Sequence, residues 1–255
     1  TVSVYEEFTP DKSKARHGTL TDWTYEEMGI ISFGTELWDL ERTAGVPKEG
    51  YYNLGPRDAA TQRLVHNWVV ENVGDQGFRP WEAFEHPQLG PVEVGGMVYI
   101  WSYRNPPEKL LEEICHNNVM FNLKHAAAAP RVEIDSVGVE ALGADLHRVT
   151  AVVSNHGYLP TNLSDVAIQN GVAKPVTLTL ECEGAELVMN LADVKLGNLA
   201  GRNERLYAYS NWGQQWAAVT KKVEWLVKSQ ASGAKLNVTA ASEKGGTDRK
   251  SIGLD

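Results

Sequence analysis

"KHAAAAPRVEI", residues 124–134, is where the hydrophobic pattern of this chain changes its period. Before this stretch, helical spacing alternates with strand-like runs, whereas after Pro130 apolar residues recur at every second position. Alternation with a period of two is typical of half-buried antiparallel strands, and the alanine run followed by proline suits a join between domains. The sequence therefore predicts an α/β region over residues 1–127 and an all-β region over residues 128–255.

The second half shows short alternating segments separated by Gly, Asn, Asp and Pro. Such a series is typical of an antiparallel β-sandwich, and we expect an immunoglobulin-like one. The alternating segments are 132–134, 149–153, 176–182, 223–227 and 236–240, followed by a last strand that contains Ile252 and Leu254.

The first half mixes the two periods. A helix is predicted from Pro56 to Gly74, and a longer one over residues 106–129, because apolar residues recur there at helical spacing. Residues 91–103 alternate and break at a Gly-Gly pair, which indicates a hairpin or an edge ribbon. Residues 30–37 are predicted to form a buried strand.

Composition and charge exclude several classes of protein. The 255 residues are 42% hydrophobic and 22% charged, which is typical of one large or two small globular domains. A formal net charge of -9 argues against binding to a nucleic-acid backbone. No apolar run is long enough to span a bilayer, and the first residues lack the pattern of a signal peptide.

Two cysteines, Cys115 and Cys182, are too few for a disulfide scaffold. They lie in a predicted helix and a predicted strand, so we expect two buried free thiols. "YAYSNWGQQW", residues 207–216, is the most aromatic loop of the second half, and we favour core packing over a sugar- or peptide-binding surface for it.

The predicted strand over residues 30–37 carries one acid, Glu36, near its far end. A carboxylate at such a strand end lies where open α/β sheets place their ligands, and it can act as a general base toward a water molecule. The alternative is a glutamate that is only solvated.

The surrounding run, "DWTYEEMGIISFGTELWD" at residues 22–39, resembles the C-terminal catalytic segment of the zinc metallocarboxypeptidases, the carboxypeptidase A-like family. "FEHPQLGPVEVGGM" and "SNHGYLPTN" are similar to parts of bacterial members in which a β-sandwich follows the peptidase domain. The resemblance implies that residues 1–127 are the C-terminal portion of a carboxypeptidase-like α/β/α domain. It also implies a secreted or periplasmic protein.

The resemblance implies a role for each matching residue. Glu36 is the general base that takes a proton from the zinc-activated water and returns it to the leaving amine. Thr21 falls where the family lines the pocket for the C-terminal side chain, and its hydroxyl gives no support to a preference for Lys or Arg. Asp22 and Tyr25 contribute to the loop and wall of the substrate site. The implied substrate is a peptide or protein C-terminus.

The chain also departs from the family pattern. The family holds its zinc with His-x-x-Glu and a later His, but none of the seven histidines of this chain is followed by Glu at the third position. Lys14 occupies the position of the family's mobile tyrosine, and His17 is a possible substitute donor. We therefore expect the zinc ligands upstream in a longer enzyme, and we expect this chain alone to be inactive.

Three hypotheses follow for the function. The chain is the C-terminal part of a zinc carboxypeptidase, a non-catalytic binding or scaffold module built on the β-sandwich, or a relative that has lost its metal and activity. A partial α/β domain leaves apolar faces uncovered, so we also predict a homo-oligomer.

Overall fold

The computed structural model describes residues 18–47, 58–202 and 218–254. These residues fall into two compact units. Unit 1 lies within Gly34–Asn122, and unit 2 lies within Arg16–Phe33 and Leu123–Asp255. Residues 16–33, which the sequence assigns to the first half, thus group with the second. The predictions for Lys14, His17, Pro56 and the 207–216 loop fall outside the described residues.

The described residues form six α-helices, one 3-10 turn and ten strands, numbered in chain order. The helices are α1 (Leu20–Glu26), α2 (Leu40–Thr43), α3 (Ala59–Asn72), α4 (Tyr99–Ser102), α5 (Glu108–Ala127) and α6 (Asp165–Gln169), and the 3-10 turn spans Gly74–Gln76. The strands are β1 (Phe78–His86), β2 (Gly90–Met97), β3 (Val132–Gly143), β4 (Leu146–Asn155), β5 (Val176–Glu183), β6 (Ala185–Met189), β7 (Asp193–Gly197), β8 (Thr220–Ser229), β9 (Ala234–Ser242) and β10 (Gly246–Leu254).

The two long predicted helices are present as α3 and α5. α3 begins after Asp58, whose carboxylate accepts hydrogen bonds from the backbone N–H groups of Ala60 and Thr61, both at 2.8 Å. This carboxylate satisfies donors that the first turn of a helix leaves without partners. The hydrogen bond from the Thr61 backbone N–H is the main reason that the pKa of Asp58 lies below its usual value.

The predicted strand over residues 30–37 is wrong. These residues have no regular secondary structure and lead directly to Asp39, which caps the short helix α2. A strand needs a neighbour to satisfy its backbone groups, and the described sheets pair no strand with this segment. An apolar run of this length does not distinguish a buried strand from an irregular segment.

The prediction for residues 91–103 is correct only in part: residues 90–97 form the strand β2, which pairs with β1 in an antiparallel hairpin. A chain reversal at Gly95-Gly96 is wrong, because the turn lies at residues 87–89, both glycines belong to β2, and Tyr99–Ser102 form the helix α4. His86 closes the turn, because its Nδ1 accepts the backbone N–H groups of Gln88 and Leu89 at 3.2 Å each. His86 therefore has a structural role in this turn. Position 95 requires glycine because β1 passes too close for a side chain: a Cβ there would lie 2.7 Å from the carbonyl oxygen of Pro80.

Unit 2 is built on two four-stranded antiparallel sheets, with strand orders β10-β9-β5-β7 and β3-β4-β8-β6. Both sheets contribute to a single hydrophobic core, so the antiparallel all-β architecture predicted for the second half is confirmed in its coarse form. The edge strands β3 and β10 meet where the backbone N–H of Ile134 donates to the carboxylate of Asp248 at 2.8 Å. Fully buried members of the core include Ile134, Val149, Val153, Leu178, Trp225 and Leu236.

Unit 1 has a much smaller core. Its fully buried apolar residues cluster around α2 and α3, and partly buried aromatic side chains pack against them. The cluster consists of Leu40, Val46, Val65 and Val69, flanked by Trp38, Trp68 and Phe78.

Both cysteines are free, as predicted, but the burial predicted for Cys115 is wrong. Cys115 is exposed on α5, whereas Cys182 is partly buried against the sandwich core. Burial raises the pKa of the Cys182 thiol. Within the described ranges, none of the helices combines the length and apolar character needed to cross a bilayer.

Candidate functional site

Glu36 is exposed in the irregular segment before α2. It lies on the wall of an open cavity of 310 Å³ in unit 1, between this segment, α2 and the N-terminal half of α5. The other residues that line the cavity are Leu37, Trp38, Asp39, Arg42, Thr43, Leu110, Glu113, Ile114 and Asn117. The predicted base therefore borders a groove that is also lined by two other acidic residues, Asp39 and Glu113.

The backbone next to Glu36 is fixed by the two residues that follow Leu37. The indole Nε1 of Trp38 donates to the carbonyl oxygen of Ser102 at 2.7 Å, and its ring lies 5.7 Å from that of Trp68. Asp39 accepts the backbone N–H of Arg42 at 3.1 Å and so begins α2. These anchors hold the chain while the carboxylate of Glu36 stays open to solvent.

The three other predicted site residues lie on α1, which belongs to unit 2. Asp22 completes a capping box: its carboxylate accepts the backbone N–H of Thr19 at 3.1 Å, and its own N–H donates to the Thr19 hydroxyl at 3.2 Å. Thr21 shares a hydrogen bond of 2.9 Å with that hydroxyl. Such reciprocal caps stabilise the start of a helix, so Asp22 has a structural task whatever else it does.

Tyr25 and Trp23 lie on α1 with 37% and 53% of their surfaces exposed. Side chains this open can contact a ligand without a change in the fold. The structure thus brings Thr21, Asp22 and Tyr25 together on one short helix, whereas Glu36 belongs to the other unit.

The zinc that the resemblance implies does not fit the residues described in the structure. Within residues 18–47, 58–202 and 218–254, no three His, Cys, Asp or Glu side chains are grouped closely enough to hold a metal ion. A catalytic zinc site needs three protein ligands. No step through a metal is therefore derived for this chain.

A polar cluster that the sequence did not single out lies on the sandwich. Asp135 accepts the hydroxyl of Ser154 with one carboxylate oxygen, and its other oxygen lies 2.7 Å from Nε2 of His156. Ser154 also shares a 2.7 Å hydrogen bond with Thr220 of β8. Lys250 of β10 donates to the backbone carbonyl of Asp135 at 3.0 Å.

This cluster contains a serine, a histidine and an aspartate, but their hydrogen bonds do not connect them in the order that activates a serine nucleophile. In a catalytic triad the histidine lies between the serine and the acid and removes the serine proton. In this cluster Asp135 lies between the other two, so the hydroxyl of Ser154 donates to a carboxylate and has no contact with the imidazole of His156. The arrangement stabilises a charge and links β3, β4 and β8.

The electrostatics of the cluster follow from its hydrogen bonds. Partial burial works to raise the pKa of Asp135, but the hydrogen bonds from Ser154 and His156 outweigh it. The positive charges of His156 and Lys250 act in the same direction, so the pKa of Asp135 lies below its usual value of 3.8. A shift in pairing register places Asp135 at a bulge between Ile134 and Ser136, which period-two alternation does not reveal.

Asn155 is another polar side chain with a structural role. The sequence pattern around it indicates only a turn. It is 1% exposed, and its Oδ1 accepts the backbone N–H groups of Arg131 and Gly157, each at 2.9 Å. Its Nδ2 donates to the carbonyl oxygens of Leu159 and Ala200 at 2.9 and 3.1 Å. One amide therefore joins the ends of three segments of unit 2.

A second cavity, of 530 Å³, opens beside α3 and β1 in unit 1. His66 lies on its wall, with its ring edge-on to Phe78 at 4.6 Å. Its remaining walls are mostly apolar or neutral and include Trp81, Met97 and Tyr103. None of the predicted site residues lies there.

The comparison with protein families gives a match over the sandwich. A family described as a domain of unknown function, DUF8731, matches residues 131–253, which is slightly less than half of the chain. The archaellum periplasmic stator protein FlaG from Sulfolobus acidocaldarius is similar over 48% of this chain and 99% of that chain, at 11% identity and a TM-score of 0.23.

The GH3 beta-glucosidase of Bifidobacterium adolescentis is similar over 49% of this chain at 15% identity, also with a TM-score of 0.23. This chain covers 17% of that glucosidase. Scores this low support no conclusion about fold or function. No curated protein matches the chain.

Proposed function

We propose that this chain is the C-terminal portion of a zinc-dependent carboxypeptidase in which Glu36 is the general base. The observation that carries the proposal is the run at residues 22–39, where several residue types coincide with the family's catalytic segment at fixed spacing. The position of Glu36 on the wall of an open groove supports it, because a general base must reach both water and substrate.

The proposal gives the described residues specific tasks. The carboxylate of Glu36 accepts a proton from the attacking water and returns it to the nitrogen of the leaving residue. Thr21 and Tyr25, exposed or half-exposed on α1, contribute to the wall that receives the C-terminal side chain. Residues 1–127 are then the last part of a carboxypeptidase-like α/β/α domain, and residues 128–255 are an appended immunoglobulin-like domain of a secreted or periplasmic bacterial enzyme.

The proposal also sets a requirement. The described residues form no zinc site, so the proposal requires metal ligands outside them, and we expect these ligands upstream in a longer protein. The substrate is a free peptide or protein C-terminus. The homo-oligomer predicted from the sequence stays a prediction, and light scattering on the purified chain tests it.

The test compares Glu36→Gln with Glu113→Gln in the longer protein that includes the segment upstream of Thr1. Both substitutions remove one carboxylate from the same groove, so Glu113→Gln is the matched control. Loss of the general base is expected to lower kcat by roughly 10²–10⁴-fold. Zinc content, measured by atomic absorption, is expected to be unchanged in both variants, and Glu113→Gln is expected to retain activity within about twofold. A Glu36→Gln variant with full activity contradicts the proposal.

A second candidate function is a non-catalytic binding or scaffold module built on the sandwich. The observation that favours it is the irregular backbone of residues 30–39, where a catalytic strand end was expected. The same assays separate the two candidates. A longer protein that binds no zinc and releases no C-terminal residue supports the scaffold function or a relative that has lost its activity.

A further inference from the structure

The segment that carries the predicted substrate-binding residues is held by the surface of the sandwich unit. Residues 18–33 group with the sandwich, although about a hundred residues of sequence separate them. They include α1 and the turn after it. The contacts come from α6 and from Lys244 in the turn between β9 and β10.

The turn after α1 fits closely against α6. Gly29 has a φ of +61°, and a Cβ at this position would lie 2.8 Å from the Cβ of Ala167 and 3.3 Å from Cγ2 of Val172. Carbon atoms cannot approach to 2.8 Å without displacement, and a positive φ is costly for most residues with a Cβ. Glycine is therefore required at position 29 for two reasons: the turn needs a positive φ, and the turn packs too closely against α6 to leave room for a Cβ.

Two side chains of the sandwich unit bind carbonyl oxygens near the C-terminal end of α1. Asn170 Nδ2 donates to the carbonyl of Glu26 at 3.1 Å, and Lys244 Nζ donates to the carbonyl of Met28 at 3.0 Å. The last carbonyls of a helix lack partners within the helix, and Asn170 supplies a partner to Glu26, the last residue of α1. Lys244 binds a carbonyl in the turn that follows the helix. The side chain of Lys244 is 17% exposed, which strengthens its interaction by reducing competition from water.

Hydrogen bonds within residues 18–33 also join α1 to the residues that follow it. The backbone N–H of Ile30 donates to the carbonyl of Thr24 at 2.8 Å, and the hydroxyls of Thr24 and Ser32 are 2.6 Å apart. Because Thr24 lies on α1, these hydrogen bonds link the residues after Gly29 to the helix that carries Thr21 and Tyr25.

We propose that Ala167, Asn170 and Lys244 are positioning residues that hold the substrate-binding helix α1 on the sandwich. The substrate-binding role of α1 rests on the proposed function, whereas the packing of α1 on the sandwich does not. The sandwich then holds in place the helix that carries Thr21 and Tyr25.

The first experiment measures hydrogen exchange by mass spectrometry in the 255-residue chain. Gly29→Ala is expected to increase exchange in peptides over residues 18–33 by at least about tenfold, and peptides of β4 and β8 are expected to be unchanged. Gly18→Ala is the matched control, because Gly18 also has a positive φ, +76°, but an added Cβ there meets nothing within 4 Å. Equal effects of the two substitutions would overturn the docking.

Two further variants test the individual contacts. Adding Ala167→Gly to Gly29→Ala removes the opposing Cβ and is expected to restore part of the lost protection. Lys244→Met is expected to increase exchange in residues 18–33 by several-fold, whereas Lys244→Arg, which keeps a donor, is expected to be near wild type. Lys235→Met, at an exposed lysine of β9, is the control. A Lys244→Met chain with unchanged exchange contradicts the role of Lys244.

The second experiment separates this inference from the proposed function. In the longer protein, Lys244→Met is expected to raise KM for C-terminal peptides by about three- to tenfold with a smaller effect on kcat, the opposite of Glu36→Gln. If the longer protein hydrolyses nothing, the proposed function fails and the exchange data still decide the docking. If it is active and Lys244→Met leaves KM and exchange unchanged, the positioning role fails.

Discussion

The two units of this protein bury their hydrophobic side chains to very different extents. Among the residues that the structure describes, eighteen buried apolar residues form one cluster between the two sheets of the sandwich, whereas the corresponding cluster of unit 1 contains four. Large apolar side chains of unit 1 are exposed, among them Trp81 at 61%, Tyr99 at 56% and Trp101 at 52%. Since apolar burial is the main stabilising term in folding, the sandwich is expected to be the more stable unit.

This difference matters for the predicted site residues, because they belong to different units. Glu36 lies in unit 1, whose described sheet is a single two-stranded hairpin, and such a hairpin is marginally stable alone. Thr21, Asp22 and Tyr25 lie on a helix bound to the sandwich. We therefore expect α1 to keep its structure under conditions in which unit 1 has already opened.

The largest effect is expected from the core of the sandwich. Trp225 is 1% exposed and its indole donates to the carbonyl of Leu191 at 2.8 Å. Trp225→Ala is expected to lower the free energy of unfolding by about 4 kcal/mol. Urea denaturation followed by circular dichroism measures it. Trp101→Ala, at a half-exposed tryptophan, is the control, and equal losses in the two variants would contradict the burial of Trp225 in the core.

A slightly smaller effect is expected at Asn155. Asn155→Ala removes the partners of two backbone N–H groups, of which that of Gly157 is buried, and of two carbonyl oxygens, at a cost of about 3 kcal/mol. The same denaturation assay measures this loss, with Asn122→Ala on the exposed face of α5 as the control. A loss below about 1 kcal/mol would show that water replaces the amide.

A core substitution in unit 1 tests the lower stability expected for that unit. Val69 is fully buried, and Val69→Ala is expected to cost about 2 kcal/mol. Because the cluster is small, hydrogen exchange of α3 should rise while that of β4 and β8 stays the same. Val70→Ala, at a neighbouring position that is 45% exposed, is the control. A parallel increase in the sandwich strands would indicate that the two units unfold together.

The smallest effect concerns the Asp135 cluster and depends on pH. Because the folded protein lowers the pKa of Asp135, its contribution is present above the usual value of 3.8 and is lost as the pH falls through the lower, folded-state value. Asp135→Asn is expected to cost on the order of 1 kcal/mol at about pH 7, since the carboxylate is partly open to solvent. Below its folded-state pKa, wild type and variant should converge in stability.

The control for this last prediction is Glu181→Gln, at an exposed acid on β5. Thermal unfolding of the three proteins is measured between about pH 2 and about pH 7, across the usual carboxylate range. A constant difference between wild type and Asp135→Asn over this whole range would mean that the carboxylate charge does not stabilise the fold.

The sequence-based predictions were more accurate for the strands of the sandwich than for residues 30–37. The strands around Val149, Leu178 and Leu236 were predictable, because each alternates inward and outward positions along a sheet with one buried face. Residues 30–37 were not, because a short apolar run forms a strand only when another strand pairs with it. The Asp135 cluster escaped prediction because its members lie on three strands, and a bulge sets the direction of the acid.

The sequence by itself determined the alternating strands, the two long helices and the presence of Glu36 within a run of family-like spacing, because periodicity and motif are properties of neighbouring residues. Only the tertiary structure decided where those residues lie. It placed α1 on the sandwich through Gly29, Asn170 and Lys244 and left residues 30–39 without a strand partner. Both outcomes depend on contacts between residues far apart in the chain, and local pattern does not encode such contacts.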